Sequence, residues 1–115
     1  MPTAADVGLI FANYSNQVVE MNGFKSHLIV SKLGHLVVVK NYIDKGSGTY
    51  STSGARVATL PAAVAPSSIL YFAGTAYNFR GGEYAAHATI SESGLVMTYA
   101  PADATIAIID AVYFV

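Results

Sequence analysis

The stretch ATIAIIDAVYFV, residues 104–115, decides how this chain is read. It holds Ile106, Ile108, Ile109, Val112, Tyr113 and Phe114, the β-branched and aromatic types that favour a strand. It is too short to cross a bilayer as a helix, which takes about 20 apolar residues. In a strand, Ile106, Ile108, Asp110, Val112 and Phe114 face one way, and Ala107, Ile109, Ala111, Tyr113 and Val115 the other. Both faces are apolar, whereas an antiparallel sheet in a small protein usually wets one of them. The expectation is cover on both sides, the second side by another subunit, so oligomerisation is the first functional inference. Asp110 interrupts the pattern. A buried unpaired carboxylate costs several kcal/mol, so Asp110 is expected at a polar subunit interface or against Arg56, Arg80 or a hydroxyl.

Composition supports a subunit rather than a free monomer. The chain has 115 residues, enough for one domain, with 53% hydrophobic and 11% charged residues and a mean hydropathy of +0.44. Soluble proteins carry about 25% charge. No apolar run approaches spanning length, and the short, unevenly spaced strand signals do not fit an outer-membrane barrel. Six Lys and Arg, unclustered, with a net charge of −1, leave no footprint for nucleic acid. With no cysteine, disulfides and thiolate metal sites are excluded. The opening MPTAADVG lacks the basic and apolar regions of a signal peptide, so export by the standard route is not expected.

Helical periodicity is absent, and short β-rich runs recur between Gly, Asn, Ser and Pro. Strands are predicted near residues 9–14, 24–32, 36–43, 56–60, 69–74, 84–91, 95–99 and 105–114. Leu33-Gly34 and Glu92-Ser93-Gly94 read as hairpin connections, with glycine free to take the positive φ such turns require. The class is all-β: an antiparallel sandwich of about eight strands, jelly-roll or Greek-key in type. Residues 44–54 (DKGSGTYSTSG) read as a mobile or binding loop, and 60–68 (LPAAVAPSS) as an extended crossover between sheets. Residues 1–7 read as a linker or shaft remnant, and 8–115 as the sandwich domain.

From residue 24 onward the order of pieces resembles the C-terminal head domains of bacteriophage receptor-binding and tail-fibre (baseplate) proteins. The elements are Lys32-Leu33-Gly34-His35 before Leu36-Val37-Val38-Val39, Thr59-Leu60-Pro61, Pro66-Ser67-Ser68, the strand with Tyr71-Phe72, and the hairpin of residues 88–96. The apolar last strand completes the pattern. Ala65 stands where that family usually has arginine. The resemblance implies a homotrimeric β-sandwich head at the tip of a tail or baseplate, made in the host cytoplasm and carried on the virion. It further implies binding to cell-wall or capsular polysaccharide of the host. A second reading, from a different class, is a structural virion component without a ligand: a head fibre, decoration protein or trimerisation cap. A capsular depolymerase fragment is a third, disfavoured by size and by the lack of paired acids.

No catalysis, cofactor or metal is expected. His27, His35 and His87 lack the spacing of a metal pair, no serine sits in a Gly-x-Ser-x-Gly elbow, and the seven acids show no pairing along the sequence. There is no tryptophan, a common sugar-stacking residue. The most site-like stretch is AYNFRGGEYAAH, residues 76–87, which packs Tyr77, Phe79 and Tyr84 with Asn78, Arg80, Glu83 and His87 around Gly81-Gly82. A sugar offers apolar ring faces and dense hydroxyls, and aromatic surface beside planar polar groups matches both. The alternative is a hairpin whose aromatics are core and whose charges are solvated. Tyr50, in the serine-glycine loop, is the second candidate.

Overall fold

The computed structural model describes residues 11–115. Ten antiparallel strands form one curled, sandwich-like sheet: β1 (Phe11–Asn13), β2 (Val19–Glu20), β3 (Lys25–Leu33), β4 (Leu36–Asp44), β5 (Ala55–Thr59), β6 (Leu70–Tyr77), β7 (Glu83–Ile90), β8 (Leu95–Tyr99), β9 (Ile106–Ile108) and β10 (Ala111–Phe114). The order across it is β1-β3-β4-β9-β6-β7-β8-β5-β2, with β10 beside β4. The only helical pieces among the described residues are 3-10 turns at Ser15–Gln17 and Ala62–Val64. The all-β antiparallel expectation holds. The linker expected at residues 1–7 lies outside the described residues.

The hairpin β3–β4 shows why these residues form strands. Leu28 and Val30 pair with Asn41 and Val39 on the buried face, while Ile29 and Lys40 share the other face. Ile109, Ala111 and Tyr113 extend the buried face from the far side of β4. Each large aliphatic side chain closed in this way contributes about 1.5–3 kcal/mol.

The sequence reading does not foresee the short strand β2, and three further features differ from it. The last strand is two, β9 and β10, yet the register along β4 does not slip: Ile108 faces Tyr42 and Ala111 faces Val39. The break has a local cause. The Ile109 N–H donates to the Asn41 carbonyl at 2.9 Å, but the Asn41 N–H donates to Asp110 Oδ1 at 3.3 Å instead of to a strand carbonyl. A side chain has replaced the ladder partner. Asp110 itself is exposed, and its partner is this backbone amide rather than Arg56, Arg80 or a hydroxyl.

The second difference is β6, which runs on to Tyr77, so residues 76–87 are mostly strand and only 78–82 form a loop. The third is the serine-glycine loop, anchored by Tyr50. That ring is buried at a centroid distance of 5.1 Å from Phe24, and its hydroxyl donates to the Ile43 carbonyl. Tyr50 is therefore closed to any ligand. The crossover between β5 and β6 is pinned in turn, with Tyr113 donating to the Val64 carbonyl at 2.6 Å and Lys32 Nζ to the Ala63 carbonyl at 3.1 Å.

Burial pushes the Tyr113 hydroxyl up to about 12 and raises that of Tyr50 as well. Unfolded tyrosine ionises near pH 10. The stability tied to these two groups is therefore fully present below pH 10 and is lost as pH rises from there through about 12. Circular dichroism and phenolate absorbance, followed together, should show a cooperative loss of β signal in that window. Tyr113→Phe should flatten the alkaline limb. Ionisation of all eight tyrosines with the β spectrum unchanged would refute this.

Candidate functional site

The β6–β7 hairpin closes on itself through the Asn78 N–H to Gly82 carbonyl bond at 2.9 Å and the Gly81 N–H to Asn78 carbonyl bond at 3.0 Å. Asn78 Oδ1 accepts from the Arg80 N–H at 2.7 Å, an Asx-type turn that lifts Phe79 and Arg80 outward. The Asn78 amide also donates to the Asp103 carbonyl, and the Tyr84 hydroxyl donates to Asp103 Oδ2 at 2.6 Å. These bonds tie the hairpin to the turn before β9. The carboxylate beside it raises the Tyr84 hydroxyl above the ordinary tyrosine range.

Between hairpin and turn lies a cavity of about 390 Å³, lined by Lys45, Asn78, Phe79, Arg80, Ala102, Asp103 and Thr105. Lys45 is brought in by its N–H bond to the Thr105 carbonyl at 2.9 Å, at the end of β4. Phe79 is 74% exposed, a large apolar ring held at the surface without core contacts to account for it. The single carboxylate in the lining, Asp103, is already engaged by Tyr84. The cavity thus offers one aromatic face, two cationic side chains and the Thr105 hydroxyl, at a size that takes a small polar ring compound.

The eight candidates from sequence separate into five groups. Phe79 and Arg80 line the cavity with their functional groups outward. Asn78 and Tyr84 build it, their polar atoms spent on the frame. Tyr77 and Glu83 face each other at the end of the hairpin strands, outside the cavity lining. His87 lies further along β7, stacked on Tyr99 at 4.3 Å with the rings 8° from parallel, and Tyr50 is core. Sequence reasoning missed Lys45, Asp103 and Thr105. Lys45 sat in a loop already marked as polar, and the Pro101-Ala102-Asp103 turn was the only local signal for the others. Among the described residues, no three His, Asp or Glu side chains gather as a metal site would require, and no helix is long and apolar enough to cross a membrane.

No family model matches the chain, and no curated protein does. A solved structure does: the receptor binding protein (gp15) of Listeria phage PSA, with a TM-score of 0.68 and 21% sequence identity over 93% of this chain. The chain spans 66% of that protein's length. The ten antiparallel strands thus share their fold with that phage receptor binding protein.

Proposed function

We propose that this chain is the head domain of a phage receptor-binding protein, which recognises saccharide on the host surface without catalysis and is displayed at the tail or baseplate tip. The observation that carries the reading is the exposed Phe79 ring beside Arg80 and Lys45 at the mouth of a preformed cavity, on a fold shared with a phage receptor-binding protein. An apolar face next to planar and cationic hydrogen-bond donors is what a sugar ring with dense hydroxyls requires.

The head works as a homotrimer. Register places Phe11, Leu33, Leu36 and Phe114 in one row across β1, β3, β4 and β10, on the outer face. Val112, Ile29, Tyr42 and Ile108 continue that face, and Phe114 is 75% exposed within a single chain. An apolar patch of this extent marks an interaction surface. It is the very face of residues 104–115 that the chain leaves uncovered, and in the trimer the patches of three copies converge on the axis and cover one another.

Binding to intact host cells and to their purified surface polysaccharide tests the first part. Arg80→Ala should weaken binding by about one to two orders of magnitude, the worth of a charged hydrogen bond of about 1.5–3 kcal/mol, with thermal stability unchanged. Glu83→Ala, outside the cavity, should stay near wild type. Unchanged binding by the Arg80 variant would remove the site from this cavity.

A further inference from the structure

We propose that the saccharide site is bipartite, with a second subsite at the stacked His87–Tyr99 pair, so that the head grips a chain of sugar units rather than a single one. This rests on the saccharide reading above and extends it. His87 and Tyr99 are register partners across β7 and β8, and their rings stack face to face at 4.3 Å. Stacking occupies ring faces and leaves the imidazole nitrogens at the edge. Both rings line a cleft of about 160 Å³, together with Thr52, Ala85, Ala100 and Pro101. It is too small for a drug-sized ligand and fits one ring of a larger one.

Two features make the pair a platform rather than a loose surface contact. A Cβ on Gly54 would come within 2.7 Å of the Tyr99 ring, so the loop backbone lies against Tyr99 and braces it. His87 is then held flat on a fixed ring while itself remaining exposed. The residues lining the cleft carry the His87 imidazole and the Thr52 and Tyr99 hydroxyls among alanine and proline, the composition of a sugar subsite.

The position of the cleft connects it to the first cavity. A single turn, closed by the Ala104 N–H to Pro101 carbonyl bond at 3.0 Å, supplies both walls. Its Ala100 and Pro101 line the cleft, while Ala102 and Asp103 line the cavity of Phe79 and Arg80. Along β7, His87 lies four positions from Glu83 at the hairpin end, about 13 Å. A ligand reaching from the cleft to the hairpin loop of Phe79 and Arg80 therefore exceeds one sugar ring, as a short oligosaccharide lying over the turn does.

The test uses the full chain on an array of bacterial cell-wall and capsular oligosaccharides. Hits are then re-measured against the same glycan as a series of increasing length. The expected result is affinity that rises with length. His87→Ala should weaken the longer members roughly tenfold and leave the shortest bound fragment untouched. Ala85→Phe fills the cleft from an exposed position and should act in the same way. His87→Gln, which keeps a hydrogen-bonding edge, should recover part of the loss. Wild-type binding with no length dependence, or wild-type affinity retained by both His87→Ala and Ala85→Phe at every length, overturns the second subsite and leaves the Phe79–Arg80 reading standing. Loss through His87→Ala with Arg80→Ala unaffected supports the cleft and overturns the cavity. No glycan binding by the wild type overturns both.

Discussion

Ile108→Asp is expected to turn the assembled protein into monomers while leaving the fold of each chain intact. Ile108 is 39% exposed in the single chain, on the outer face of β9 and in register with Tyr42 on one side and Thr75 on the other. A carboxylate there meets water in a monomer and costs little. In the proposed trimer it would be buried against an apolar partner surface, once per subunit, at roughly 3–5 kcal/mol each for an unpaired charge. Asp110 stands two residues away on the same face and adds like charge. Val112→Asp should behave in the same way. Light scattering should give a mass near the 12.0 kDa chain for either variant, with the β spectrum retained. A stable wild-type monomer at micromolar concentration would overturn the trimer outright.

Gly74→Ala should produce the largest loss of stability among conservative changes on β6. The added Cβ would sit 2.4 Å from the Ile108 carbonyl oxygen and 2.9 Å from the Ile109 Cα, both backbone atoms that cannot rotate aside. Here β9 leaves β6 and continues as β10 along β4 alone, so Gly74 marks the place where the sheet divides. Forcing the strands apart should cost about 1–3 kcal/mol, typical of overpacking. For a domain of this size, that lowers the melting temperature by roughly 4–15 °C. Ala85→Ser, exposed on β7 with open surroundings, should stay within about 0.5 kcal/mol of wild type. A Gly74→Ala protein melting with the wild type would mean that β6 and β9 can separate freely. The same variant displaces Ile108, so it should also weaken assembly.

How far the site could be read from sequence follows from where its parts lie. Phe79 and Arg80 were legible because an aromatic and a cation beside Gly81-Gly82 announce an exposed turn. Tyr50 misled for the same reason in reverse: its neighbours are polar and small, but Phe24 and the Ile43 carbonyl, 26 and 7 residues away, claim it for the core. Lys45, Asp103 and Thr105 carry no local mark. They meet Phe79 only because β4, β6 and β9 are adjacent in the sheet.

The division between sequence and tertiary structure is sharpest in residues 104–115. Alternation along the chain by itself determined the strand, its two sets of side chains, and the surplus of apolar surface that a single domain does not cover. Side-chain period is a local property of the backbone, and it separates the two faces whatever they later meet. It contains no information on which face turns inward when both are apolar. That was decided by register with β4, which carries Ala107, Ile109, Ala111 and Tyr113 into the core and leaves Ile108, Val112 and Phe114 outside. The cavity and the neighbouring cleft were decided in the same way. Both are gaps between elements distant in sequence, and their walls exist only once long-range pairing has set the strands side by side.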